Sequence, residues 1–173
     1  MKDKSVNHSF HSLAQFGREL LDKKTLSEGL PLISSYAKDI LNSERCSIFV
    51  YDEKDKELWT VLADGVERIV VPKRSGLVGK ALKERKAFFQ NTPYEDENFL
   101  VEIDKKTGFK TENIIVAPIF NSKREILGVL ELLNKKGGFD EDDIKFVEFF
   151  AHYISGFIEL ANEYLPKEIN FAK

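Results

Sequence analysis

A chain of 173 residues, 42% hydrophobic and 32% charged, has the size and balance of one domain with modest extensions, large enough to bury a core without a disulfide or a metal. Its net charge of −3 argues against nonspecific nucleic-acid binding, which needs a basic surface to neutralise phosphates. The single cysteine, Cys46, allows no intrachain disulfide; the N-terminus MKDKSVNHSF has no signal-peptide core, and no apolar run reaches the roughly 18 residues of a membrane span, so a cytoplasmic protein without a membrane partner is expected.

Two helical patterns come first. Phe10, Leu13, Gly17, Leu20 and Leu21 share one stripe of a first helix, and Leu26, Leu30, Ile33, Ala37, Ile40 and Leu41 share one stripe of a second. The charged break DKK at 22–24 separates them. Thr25 and Glu28 have capping-box spacing at the second start, whereas Pro31, too deep for the first helical position, predicts a kink or a later start. CSIFVYD at 46–52 is apolar on both faces and predicts a strand covered on both. After the charged turn EKDK, ELWTVLA at 57–63 returns, and Asp64-Gly65 turns into ERIVVP at 67–72, the third strand of a meander. SGLVGKALK at 75–83 reads as a short helix entered through small residues, and 87–90 as a brief strand.

Residues 91–112 read as a long loop with a helical turn or two, and connections of that length in a compact domain are usually functional. Two strands follow, 113–120 and 126–133, joined by the polar turn NSKRE. The last helix, 140–163, is apolar over more than half its circumference. Ile144, Val147, Ala151, Ile154 and Ile158 form one stripe; Phe146, Phe150, Tyr153, Phe157 and Leu160 form a neighbouring one. A sheet covers one stripe. The second is expected to pack on Phe10, Leu13, Phe16 and Leu20, within the chain or across the twofold axis of a homodimer. The order α-α-β-β-β-α-β-loop-β-β-α gives an α+β domain, a six-stranded antiparallel sheet with helices on one face and loops on the other.

Enzyme templates find little to match. His8, His11 and His152 do not cluster, so no metal site is expected. Cys46, inside an apolar strand, reads as a small core hydrophobe rather than a nucleophile. Walker A, dinucleotide and nucleophile-elbow motifs are absent from the sequence, so no catalytic residue and no enzyme activity is expected. What stands out is Glu131 inside ILGVLELL. On a strand it shares a face with Val129 and Leu133, where a buried carboxylate must meet a backbone amide, a cation or a ligand; an edge position in water is the alternative. Beyond it, Asn134-Lys135 leaves the strand and Phe139-Asp140-Glu141 opens the last helix after a Gly-Gly turn. Asp140 is placed as N-cap, the acids at 140–143 suit the positive helix end, and a Lys135–Asp140 ion pair would pin strand to helix.

Asn-Lys, a short spacer and Phe-Asp-Glu after a Gly-Val-Leu-Glu-Leu strand resemble the signature of GAF domains in cyclic-nucleotide phosphodiesterases and certain adenylyl cyclases. The resemblance extends over about 44–165: RCSIFVYD matches the first strand, SGLVGKAL the pocket helix, DKKTGFKTENIIVAPI the lid and fifth strand, and ILGVLELLNKKGGFDE completes it. It implies an N-terminal packing or dimerisation helix at 1–24, a GAF-like domain at 25–165 and a tail at 166–173. It further implies a non-catalytic sensory or regulatory domain in signal transduction, a homodimer through its terminal helices, with a small-molecule partner, a cyclic nucleotide, and no other cofactor. Asn134, Lys135, Phe139, Asp140 and Glu141 would brace the pocket. Ser47 would reach the base, Leu77 and Val78 would offer backbone amides to the cyclic phosphate, and Asp104, Thr107 and Thr111 would close over the ligand, with Glu131 as a pocket-wall acceptor. Where cyclic-GMP binders carry a stacking aromatic and then Asp, this chain reads Leu62-Ala63, with Asp64 one residue on; the lid aromatic position is Leu100, beside Phe99. A lost aromatic stack costs about 1–3 kcal/mol, roughly ten- to a hundredfold in affinity. A GAF interaction module with a degenerate or different pocket is the rival reading. The free methionine sulfoxide reductase variant of the fold uses several cysteines, and this chain has one.

Overall fold

In the computed structural model, which describes residues 2–52, 54–63 and 69–164, the chain opens with helices α1 (Lys2–Leu21) and α2 (Leu26–Leu41). Thr25 starts α2 as its spacing predicts: its hydroxyl accepts the Glu28 N–H at 3.2 Å, and the Glu28 carboxylate reaches back to the Lys24 N–H at 2.8 Å. Pro31 therefore delays nothing. Its ring lies on the exposed side of α2, while Leu30, Ile33, Ala37 and Leu41 bury the other side, and cap and burial together outweigh the one missing N–H.

The strands are β1 (Ser43–Asp52), β2 (Glu57–Ala63), β3 (Val70–Pro72), β4 (Phe88–Gln90), β5 (Ile114–Phe120) and β6 (Ile126–Lys135), in the order β3-β2-β1-β6-β5-β4 and antiparallel throughout. Between them come α3 (Gly76–Glu84), a 3₁₀ turn at Pro93–Glu95 and α4 (Val101–Thr107); α5 (Glu141–Tyr164) closes the chain. Residues 91–112 thus hold the helical turns expected of them. This is the α+β sheet the element order predicts.

The two central strands, β1 and β6, are covered on both faces. Ile48, Ile115, Leu130 and Leu132 meet Ile33, Ala37, Phe150 and Ile154 on the helical side. Phe49, Leu58, Val116 and Val129 meet Leu77, Val78 and Leu82 on the other. Between β1 and β2 the register passes from Ile48↔Leu62 to Phe49↔Thr60, leaving Val61 as a bulge. A one-residue shift exchanges the faces of everything beyond it. Leu62 consequently shares the helical side with Ile48 and packs there.

The aromatic stripe of α5 is covered within the chain. Phe16 stacks on Tyr36 with centroids 4.4 Å apart and meets Phe150 at 5.5 Å and Tyr153 at 6.0 Å. Two glycines admit this packing: a Cβ at Gly17 would collide with the Tyr153 hydroxyl, and one at Gly29 with the Phe157 ring. The cover is incomplete, since Phe149 and Leu160 remain 48% and 56% exposed. Phe10's side chain, Asp64 and the tail 166–173 lie outside the described residues.

Candidate functional site

The register that pairs Ser47 with Glu131 and Arg45 with Leu133 sets these four side chains on one sheet face, away from the long helices. They floor a cavity of about 70 Å³. Its wall is the start of α3, Gly76, Leu77 and Val78; its roof is Phe99, Leu100, Ile103, Asp104, Thr107, Phe109 and Thr111. Ser75 caps α3 by position but makes no side-chain capping bond, so the first turn of α3, which lines the cavity, keeps the uncapped partial positive charge of a helix start.

Glu131 is the acidic group of the floor. Burial among apolar groups pushes its carboxyl up to about 7; a hydrogen bond from Ser47 works against this, and the carboxylate of Asp104 in the roof adds to it. Near neutrality the group is poised to accept a hydrogen bond as carboxylate or to donate one as acid. Asp104, itself buried, accepts from the Tyr94 hydroxyl at 2.7 Å, the Thr111 N–H at 2.7 Å and the Thr111 hydroxyl at 2.8 Å. That carboxylate staples the roof internally. Thr107 donates to the Ile103 carbonyl at 2.9 Å. Arg45 lies with its guanidinium 3.8 Å from the centroid of the Phe109 ring.

The polar signature after β6 is a structural brace. Asn134 takes left-handed backbone (φ 59); its side chain accepts the Glu112 N–H at 2.7 Å and donates to the Lys110 carbonyl and the Glu44 carboxylate, both at 3.0 Å. The Asn113 amide clasps Lys135, accepting its N–H at 2.8 Å and donating to its carbonyl at 3.0 Å. Asp140 is the N-cap, accepting the N–H groups of Asp142 and Asp143 at 2.9 and 3.1 Å. The expected Lys135–Asp140 pair does not form: Lys135 bonds both oxygens of Asp143 at 2.7 and 2.6 Å. Capping engages Asp140, and three residues on, nearly one helical turn, Asp143 points back at the strand, where it also accepts the Asp140 N–H at 2.9 Å. Phe139 is buried, with its N–H and carbonyl both held by the Asn91 amide at 2.9 Å. Glu141 stands exposed in the first turn of α5.

Nine of the expected ligand residues thus meet around one cavity: Ser47, Leu77, Val78, Phe99, Leu100, Asp104, Thr107, Thr111 and Glu131. Leu62 and Ala63 do not line it. The bulge sends Leu62 to the other face, and Ala63 sits at the end of β2 opposite Ser47. Sequence reasoning missed Arg45, Phe49 and Phe109. Alternation outward from Ser47 points to the first two, since i±2 on a strand shares a face; Phe109 carries no such periodic signal. Asn91 was missed as well, a lone loop Asn whose role is set by a partner 48 positions away.

The GAF domain family model matches residues 23–159, and the chain belongs to that family. It is 33% identical over 124 residues, 69% of its length, to the cGMP-specific 3',5'-cyclic phosphodiesterase of Drosophila ananassae, and spans 10% of that protein. Among solved structures it superposes on the GAF domain of a phosphoenolpyruvate-protein phosphotransferase from Coxiella burnetii with TM-score 0.78 at 18% identity, covering 88% of this chain and 94% of that one. The free methionine-R-sulfoxide reductase of Neisseria meningitidis, solved with its substrate, gives 0.73 at 18% identity, with 87% of each chain covered. A likeness at that identity shows the fold alone. Family membership makes this a regulatory module of the small-ligand-sensing kind in signal transduction. Cys46 is fully buried on the helical side of β1, with the sheet between it and the cavity.

Proposed function

We propose that this domain is a non-catalytic cytoplasmic sensor that binds a cyclic nucleotide in the cavity between β1, β6, α3 and the roof. The observation that carries the reading is the convergence of complementary groups on one space: unbonded first-turn amides of α3 for a cyclic phosphate, and the Ser47–Glu131 pair for the edge of a base. Thr107, Thr111 and Asp104 line the roof above that space, where a ribose and base would sit, and Phe99 offers an aromatic face. The 33% identity to a cyclic-nucleotide phosphodiesterase supports the same ligand class. A stacking aromatic at Leu62-Ala63 is lacking, so the reading includes no preference for guanine.

The cavity, about 70 Å³, is smaller than the roughly 300–1,000 Å³ of small-molecule sites. Binding on this reading therefore lifts the roof. Thermal melts with a panel of cyclic nucleotides test it: ligand at a hundredfold excess over its dissociation constant stabilises the fold by about 2.7 kcal/mol. A flat response to every cyclic nucleotide at millimolar concentration would instead favour the interaction module. That second reading rests on the exposed Phe149, Tyr153 and Leu160 of α5.

A further inference from the structure

The roof of the cavity is fixed at both ends. Asp96 pairs with Lys80 of α3 at 3.3 Å, and the Asn134 side chain holds the Lys110 carbonyl and the Glu112 N–H at 3.0 and 2.7 Å. The polar side chains of the roof bond among themselves and to the 3₁₀ turn before it: Asp104 to Thr111 and to Tyr94, and Thr107 to the Ile103 carbonyl. Apart from the Asp96 foot and the carboxylate of Asp104 facing Glu131, the roof meets wall and floor, among the described residues, through apolar contact, as where Leu100 lies over Gly76, and through Arg45. Arg45 belongs to β1, at the centre of the sheet, and among the described residues its guanidinium forms no ion pair. It lies under the Phe109 ring at 3.8 Å. A planar, weakly hydrated guanidinium is suited to that stacking, and the contact strengthens where water is kept out. Immediately before Phe109 stands Gly108, the left-handed C-cap of α4 (φ 68), and the Phe109 N–H reaches back across it to the Thr107 hydroxyl at 3.4 Å, so the end of α4 carries the ring to Arg45.

We propose that Arg45 and Phe109 form the clasp that keeps this cavity shut, and that the roof opens by parting ring from guanidinium. The proposal rests on the ligand-binding reading only for what enters; the clasp is a property of the fold with or without ligand. If a ligand enters only when the roof is open, its apparent affinity and association rate scale with the open fraction.

Amide hydrogen exchange by mass spectrometry on the full chain reads that fraction directly. In Phe109→Ala, and in Arg45→Met, which keeps the aliphatic stem without the charge, exchange across 99–109 is expected to rise about tenfold, while 114–120 and 126–135 keep their wild-type rates. Wild-type rates in 99–109 would overturn the clasp, and so would an equal acceleration in roof and strands, which marks a general loss of stability. Should Phe109→Ala fail to fold, Phe109→Leu keeps most of the bulk without the π face: faster roof exchange supports the clasp and unchanged exchange overturns it. Stopped-flow association of cyclic AMP and cyclic GMP supplies the second arm. Association faster by the same factor in the variants supports gating, and equal rates in all chains overturn it. Roof exchange that responds while neither nucleotide binds any chain would retain the clasp and sink the cyclic-nucleotide reading.

Discussion

Glu131 joins floor chemistry to stability, because its folded-state carboxyl sits near 7 against an ordinary 4.5. A group whose pKa is raised by folding binds its proton more tightly in the native state, so its contribution is fully present below about 4.5 and is lost as pH rises toward about 7. The cause is burial first, with Asp104 across the cavity adding to it and Ser47 opposing it. Other carboxylates carry the opposite sign: Asp96, held by Asn98 and Lys80, and the exposed Asp142, paired with Lys145, are lowered. A whole-protein pH profile mixes the two kinds, and a difference separates them. Glu131→Gln should lose the part of the stability that falls between pH 4.5 and 7, a difference on the order of 1–3 kcal/mol against wild type. Chemical denaturation of both chains at intervals across that window checks it; parallel curves would mean that Glu131 titrates normally.

Among the elements, the turn between β6 and α5 divides its work between a cap and a latch. Asp140 caps, Asp143 latches Lys135, and Asn91 holds Phe139 from outside the motif. Asp140→Ala should therefore destabilise the fold by about 0.5–2 kcal/mol while leaving ligand affinity within a few-fold, since Asp140 is exposed and does not line the cavity. Denaturant melts beside a ligand titration separate these effects, and lost binding at an unchanged midpoint would show the assignment to be wrong. The same turn illustrates what could be read in advance. Asp140 as cap follows from local spacing, because a helix start is decided within four residues. Which acid Lys135 reaches depends on the rotation of α5 against β6, which no local pattern encodes. The bulge at Val61 is a similar case: ELWTVLA alternates equally well in either phase, and packing on both faces of β1 selects the register that moves Leu62 to the helical side. Glu131 was legible because strand parity is local, whereas Ser47 and the start of α3 came from the family resemblance; Arg45 over Phe109 unites residues 64 positions apart.

For the molecule as a whole, the open question is what covers α5. Phe16 and Leu20 of α1 are buried, and they shield Phe150 from water together with Tyr36 of α2. Phe149, Tyr153 and Leu160 lie outside that cover on α5, and Leu21 and Ile40 are exposed at the ends of α1 and α2. Apolar residues grouped on one helix face mark an association surface more often than single exposed ones do, and a homodimer through the terminal helices would bury them. The expected result is a full chain that sediments as a dimer at micromolar concentration, and a Phe149→Glu, Leu160→Glu double variant that sediments as a monomer with its melting temperature within a few degrees of wild type, since both side chains are already about half in water. A chain beginning at Thr25 should behave differently. It loses Phe16, whose removal from a packed core costs about 3–5 kcal/mol, and it bares Phe150 and Tyr36, so it should melt lower and aggregate. A full chain that stays monomeric at micromolar concentration would refute the dimer and leave α1 as a cover within one chain. A truncated chain that remains soluble and dimeric with an unchanged melting temperature would show that α1 seals nothing.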